Sequence, residues 1–276
     1  MMIERMGPEA DIHSSLVAPP ADRNAADEVM STPLVSVILV CRNPGPPLRA
    51  ALESVWTQAD GTHEVIVIDG ASTDGTREWL ETQRPRLGAL VIEPDRCVYD
   101  AMNKGVATAR GEWLLFLGAD DRLRDGALAS LAPLLRQAAA GVVAGEAAYD
   151  DGRVYRLGAP ATAVRRNFVH HQAACYRRTL FAAHGPFETD LKIMADYEFN
   201  LRLLQAGVKF QSVPTRLAAC GSGGLSDAGG WIGYREEIAV RHRYFPAWQC
   251  WLWNLGSIAR YLRKNILRSP ARHRPE

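Results

Sequence analysis

The chain has 276 residues, 47% hydrophobic and 23% charged, with a formal net charge of +1, the make-up of an ordinary globular protein with ample length for a core. The near-neutral total hides an asymmetry: from Ile238 to the end there are eight basic residues against one acid, net +7, which leaves −6 for the rest. A basic tail on an acidic body suggests an anionic surface as partner, membrane or nucleic acid. Five widely spaced cysteines with no C-x-x-C point to neither a disulfide framework nor a zinc site, and favour a reducing cytosol. No apolar h-region and no bilayer-length apolar run is visible, so neither a signal peptide nor a spanning helix is expected.

Residues 1–32 mix Pro, Ala, Asp and Ser without period and are expected to form a flexible leader. "LVSVILV" then reads as a strand buried on both faces, broken by "CRNPGPP" and followed by a helix with Leu48, Leu52, Val55 and Trp56 on one face. "HEVIVIDG" is a second strand ending at Asp69, and "STDGTREWLET" a helix capped by Ser72 or Thr73. "ALVIEPD" is a third strand, "YDAMNKGVATA" a third helix and "EWLLFLGADD" a fourth strand. This alternation predicts an α/β fold, a parallel sheet with crossover helices, with ligands bound beyond the carboxyl ends of its strands.

Three of those four ends carry an acid. Asp69 taken alone is as well explained as a helix cap, but "GADD" places two adjacent carboxylates at the end of a buried strand, where like charges repel. Asp120 and Asp121 are hard oxygen ligands suited to Mg²⁺ or Mn²⁺, which keeps waters and takes further ligands from phosphate. Such a pair points to metal-assisted transfer from a nucleotide diphosphate, with the small Gly118 and Ala119 leaving the approach open. No P-loop occurs. "CGSGGLS" lies too late for a dinucleotide fingerprint, and "VIDGAST" lacks the second aspartate of a phosphatase loop, having Ala71 there. A nucleotidyltransferase would carry a basic glycine-rich loop after the first strand, of which "CRNPGPP" is a poor version; a non-catalytic nucleotide-sugar-binding protein is the other alternative.

The blocks "VSVILVCRN", "EVIVIDGASTDGT", "VYDAMNKGVATARGEWLLFLGADD", "HHQAACYRRTLF" and "MADYEFNLRLLQAGVKF" together resemble the inverting family 2 glycosyltransferases of GT-A fold, from about Leu34 to Ser226. The resemblance is nearest to the branch that builds bacterial exopolysaccharides and mycobacterial phenolic glycolipids. It implies that Asp69 contacts the base, uracil or guanine, that Asp120 lies at ribose and metal, and that Asp121 is the direct metal ligand. Arg42 and Asn43 fall on the nucleotide side, and Tyr99, Asp100, Asn103 and Lys104 open a helix below the nucleotide rim. Lys104 reads more readily as a surface lysine than as a donor-phosphate contact. Asp196 matches the family's general base, although a helix N-terminal charge also explains it. His171 matches a histidine near the acceptor or is a satisfied structural one; on a strand, His170 and His171 would point to opposite faces and not share an ion.

The chain also departs from the family pattern. Arg42 stands where many members carry an aromatic or polar residue, Gly118 where an acid or asparagine is common, Cys97 where the near branch has glycine, and Ala195 where an acid often precedes the base. No Q-x-x-R-W follows Asp196, which argues for transfer of a single sugar to a glycan or lipid-linked hydroxyl over processive synthesis.

"AWQCWLWNLGSIARYLRKNIL" sets Trp248, Trp251, Leu252, Leu255, Ile258, Ala259, Leu262 and Ile266 on one helical face, with Trp253 off it and Arg260, Arg263, Lys264 and Arg268 around the polar side. This reads as an interfacial helix on an anionic membrane, or as one packed on the sheet or a second subunit. No aromatic–basic interleaving supports nucleic acid. The expected organisation is a leader at 1–32, a GT-A domain at 33–230 whose nucleotide-sugar half ends near 122, and a basic amphipathic helical tail at 231–276. The expected location is cytoplasmic, with peripheral attachment at the inner face of the cytoplasmic membrane.

Overall fold

The computed structural model describes residues 32–58, 61–221 and 230–267. The expected leader, apart from Thr32, lies outside them, as do the glycine-rich residues 222–226 and Arg268, Arg272 and Arg274.

In chain order the elements are β1 (Val35–Cys41), α1 (Pro47–Trp56), β2 (His63–Asp69), α2 (Thr76–Gln83), β3 (Ala89–Ile92), α3 (Val98–Thr108), β4 (Trp113–Gly118), β5 (Arg122–Leu123) and α4 (Ala127–Gln137). There follow β6 (Val142–Tyr149), β7 (Val154–Tyr155), β8 (Ala174–Arg177), α5 (Arg178–His184), α6 (Ala195–Gln205), β9 (Phe210–Cys220), α7 (Trp231–Tyr244) and α8 (Ala247–Leu267). All seven residues of β1 are buried, as its β-branched run requires of a strand covered on both faces. Val37 and Leu39 face the side of α1 and α4, with Leu52 and Leu131. Ile38 and Val40 face the opposite side with Phe116, Phe181 and Phe199.

The sheet order is β3-β2-β1-β4-β8-β6-β9-β5, with β7 on the side of β6. Strands β3, β2, β1 and β4 are parallel; β8 runs antiparallel to β4 and β6, and β9 is parallel to β6. Register fixes the site. Cys41 pairs with Asp69, and Val40 with Gly118, so the carboxyl ends of β1, β2 and β4 lie level. The chain builds outward from β1 through β2 to β3, then returns to add β4 on the other side. The crevice where such a sheet reverses direction therefore opens between the ends of β1 and β4.

Three local expectations are corrected. Helix α2 begins at Thr76 behind Gly75, whose φ of +89° suits glycine, and neither Ser72 nor Thr73 caps it. His170 and His171 are not on a strand: His171 opens a 3-10 turn before β8, and the two rings lie 15° from parallel. The folded body also continues past residue 230. In α7, Val240 and Arg241 are completely buried, and Glu236 accepts from the backbone N–H groups of Lys192, Ile193 and Met194 at 3.0, 2.9 and 3.2 Å.

Candidate active site

A cleft of about 1070 Å³ runs from the ends of β1 and β4 to the start of α6. Its wall at the strand ends includes Arg42, Asn43, Gly118, Asp120 and Asp121; its far wall includes Asn167, His171 and Asp196. One continuous space thus joins the acid pair to the third acid.

Asp120 is exposed, while Asp121 is only 3% exposed. Gly118 N–H donates to Asp121 Oδ2 at 2.8 Å, folding the turn back onto the strand end. A β-carbon on Gly118 would stand 2.9 Å from that same oxygen, so any larger residue here would push the Asp121 carboxylate out of this position. Burial pushes the Asp121 carboxyl up and the neighbouring Asp120 adds to this. Among the described residues no lysine or arginine pairs with either acid. The chemistry of the pair fits a divalent cation: two hard oxygen donors on a rigid strand end, one of them exposed to the cleft. No group of three ligating side chains occurs among the described residues, so diphosphate and water would complete the shell, as Mg²⁺ and Mn²⁺ allow.

Other donor-side residues are placed differently from the expectation. Asp69 is completely buried and does not line the cleft: Ser72 donates to it through N at 2.9 Å and Oγ at 2.5 Å, and the Cys41 thiol lies 3.5 Å away. Ser72 Oγ in turn accepts from Asn43 N at 2.8 Å, and Asn43 Oδ1 accepts from Thr73 N at 2.7 Å. Asp69 therefore holds together the two loops that form the nucleotide edge, with Asn43 at φ +49°. Asn103 is also a tie, donating to Phe187 O and accepting from Phe187 N, both at 2.9 Å. Lys104 is anchored to Asp95 at 2.6 Å and Glu93 at 2.9 Å. Asp100 accepts from Arg96 N at 3.0 Å and from its guanidinium at 3.1 Å. Asp100, Asn103 and Lys104 shape the loop below the rim and stand off the cleft surface. Arg42 is exposed on the cleft wall, where its planar guanidinium can meet a base or a phosphate.

At the far end, the aromatic group of Phe116, Tyr176, Phe181, Phe187 and Phe199 fixes α6, with Phe181 and Phe199 stacked at 4.6 Å. Asp196 lies in the first turn of α6, so the helix-terminal explanation describes its place. Yet its side chain also reaches the cleft, and three donors converge on it, Asn167 Nδ2 at 2.8 Å, His171 Nδ1 at 3.1 Å and Tyr197 N at 2.8 Å, while Tyr99 Oη lies 3.1 Å away with its one proton shared with Ile193 O at 2.6 Å. Burial pushes this carboxyl up, but the hydrogen bonds from His171 and Tyr99 outweigh it and hold the acid below its usual range. Asn167, and the link of Tyr99 to this acid, escape sequence reasoning because the two residues meet Asp196 from 29 and 97 residues away.

The profile of Glycosyl transferase family 2 matches residues 36–187. A PGL/p-HBAD biosynthesis glycosyltransferase of Mycobacterium tuberculosis is 37% identical over 181 residues, 63% of this chain and 70% of that protein. An uncharacterized glycosyltransferase of the same species is 31% identical over 231 residues, 78% and 87% of the two chains. Among solved structures, S. aureus TarS in complex with UDP-GlcNAc has a TM-score of 0.61 at 17% identity, covering 85% of this chain and 73% of that one. A mannosyltransferase from Pyrobaculum calidifontis in complex with GDP-Man and Mn²⁺ has a TM-score of 0.60 at 22% identity, covering 87% and 77%. These two share the GT-A fold of the sheet described above. The matched profile spans β1 to the loop before α6 and takes in the acid pair and His171, and on that ground the chain belongs to glycosyl transferase family 2 and is a glycosyltransferase.

Proposed function

We propose that this glycosyltransferase moves one sugar, with inversion, from a UDP- or GDP-linked donor to a hydroxyl of a glycan or lipid-linked acceptor in cell-surface glycolipid or polysaccharide biosynthesis. The observation that carries the reading is the two-ended cleft: an unpaired acid pair at the sheet's reversal point, and a hydrogen-bonded carboxylate–imidazole pair at the other end. The relative named for PGL/p-HBAD biosynthesis supports the glycolipid part, and the neighbours in complex with UDP-GlcNAc and GDP-Man support the donor class.

Asp121 and Asp120 would hold Mg²⁺ or Mn²⁺, which when bound neutralises the diphosphate as it leaves. The chain's residues do the rest. Arg42 and Asn43 border the nucleotide, and the small Gly118 and Ala119 let the sugar lie against backbone. The Asp196–His171 pair supplies the base for an acceptor hydroxyl that attacks the anomeric carbon from the side opposite the diphosphate. A base at the other end of the cleft from the acid pair suits inversion.

The mouth of the cleft suits an acceptor at an anionic lipid surface. Arg166 and Lys192 are exposed there with no ion pair among the described residues, and Lys264 of α8 lines the same mouth. The outer face of α8 is apolar and exposed, from Trp248 and Trp251 at 73% and 71% to Leu262 at 51%. No helix among the described residues is long and apolar enough to cross a membrane. We therefore place the enzyme peripherally on the inner face of the cytoplasmic membrane. The test is a product analysis with UDP- and GDP-sugars, Mn²⁺ and glycolipid acceptors. Release of nucleoside diphosphate, a mass increment of one sugar and an inverted anomeric centre are expected; pyrophosphate release, retention or a ladder of additions overturns the reading.

A further inference from the structure

The carboxylate of Asp196 is largely engaged. Tyr197 N donates to Oδ1, Asn167 Nδ2 and His171 Nδ1 face Oδ2, and Tyr99 Oη lies 3.1 Å from Oδ1 with its single proton shared with the closer Ile193 O at 2.6 Å. A carboxylate oxygen offers about two acceptor sites, so Oδ2 is occupied. The residue is 8% exposed, which leaves little of it open to an incoming hydroxyl.

His171 is placed the other way round. Asp196, as an ionised carboxylate, can only accept, so His171 Nδ1 must carry the hydrogen, which leaves the lone pair on Nε2. No hydrogen bond occupies Nε2 among the described residues, and the side chain, 21% exposed, borders the cleft. The neighbouring groups suit a neutral imidazole that gains a proton. His170 beside it is neutral, pushed by burial down to about 4, and its Nε2 is engaged by Tyr149 Oη at 2.8 Å. Tyr99 stays protonated because burial and Asp196 push its phenol far up.

We propose that Nε2 of His171 takes the acceptor hydroxyl's proton, and that Asp196 is a positioning residue that fixes the tautomer and stabilises the imidazolium. A lone pair of the acceptor oxygen forms the bond to the anomeric carbon while the bond from that carbon to the diphosphate oxygen breaks, its electron pair leaving with the diphosphate. The hydroxyl proton goes to Nε2 and is later lost to water, so no co-reactant is needed. The inference rests on the proposed reaction and sharpens which atom does the proton transfer.

His171→Asn separates this role from a structural one, because the amide can still donate to Asp196 but has nothing at the place of Nε2. The expected result is a fall in kcat of roughly 10²- to 10⁴-fold, the usual worth of a general base, with nucleoside diphosphate affinity unchanged. A direct carboxylate base predicts instead a His171→Asn loss below about tenfold, and that result overturns the proposal. If this variant does not fold, His171→Gln, which also lacks the imidazole lone pair, is read in the same way. Total absence of transfer in the unaltered protein fails the reaction reading itself and the proposal with it, whereas transfer that survives loss of the imidazole fails the proposal alone.

Discussion

Asp121 is an acid whose surroundings disfavour its own charge. Burial and the adjacent Asp120 raise its pKa, so in metal-free protein the ionised side chain costs stability at neutral pH, and this cost fades as pH falls through the raised value. A bound cation would reverse that balance. Asp121→Asn is therefore expected to leave the metal-free melting temperature unchanged or higher, to abolish turnover, and to remove the part of nucleoside diphosphate binding that depends on Mn²⁺. Full activity in the variant, or in the parent with excess chelator, would sink the metal assignment. Asn103 makes the opposite case. Its amide is used on both sides by the backbone of Phe187, 84 residues away, so Asn103→Ala should cost stability, about 1–3 kcal/mol by denaturant melt, with donor KM within a few-fold. Collapse of nucleotide affinity at unchanged stability would restore it to the binding site. The acid pair was legible in the sequence because adjacent charges after an apolar run conflict with folding. Asp69, Asn103 and Lys104 show what spacing leaves open: it tells where a polar group lies along the chain, not which groups have already engaged it.

Between residue and molecule, the elements differ in how plainly they declare themselves. β1 to β4 and their helices were readable because each strand is an unbroken β-branched or leucine-rich run and each helix has a clear period. The second half was harder. β6, "VVAGEAAY", is rich in alanine, β5 and β7 have two residues each, and their pairing partners lie far off in sequence. α7 shows the same limit. Nothing in its sequence marks its glutamates for burial, yet Glu236 gathers the three N–H groups just before α6, and Glu237 pairs with the buried Arg241 at 2.7 Å. Through that contact α7 sets the start of α6, and so the position of Asp196. Glu236→Ala is expected to lose about 1–3 kcal/mol of stability and to lower kcat while nucleoside diphosphate still binds. A stable variant with unchanged kcat would show that the loop holds Asp196 without α7.

For the molecule as a whole, α8 turns the usual arrangement outside in. Its polar side faces the protein: Arg241 donates to Asn254 at 2.6 Å and to Ser257 at 3.1 Å, and Arg260 reaches Glu237 at 2.7 Å. Its apolar side faces outward, with Trp248, Trp251, Leu252, Leu255, Ile258 and Leu262 all exposed. Periodicity revealed the stripe, but it could not say which side packs inward, because a buried arginine network competes with apolar packing only once α7 is in place. Packing of the stripe on the sheet is thereby ruled out for these six side chains, leaving a membrane or a second copy. We propose the membrane as the occupant: Arg263 on α8 and Arg166 and Lys192 at the cleft mouth are exposed with no ion pair among the described residues, and each near an anionic surface is worth about 1 kcal/mol. Truncation before α8 is a poor test, since it would strip Arg241 of partners. Replacing Trp248, Trp251 and Leu255 together with serine alters only outward-facing side chains. The parent protein should co-sediment with anionic but not neutral vesicles, less so in high salt, and the triple variant should stay in solution while keeping nucleoside diphosphate affinity. If the parent ignores anionic vesicles and instead sediments as a dimer that the triple variant splits, the stripe is a subunit interface and the enzyme reaches its acceptor by another route.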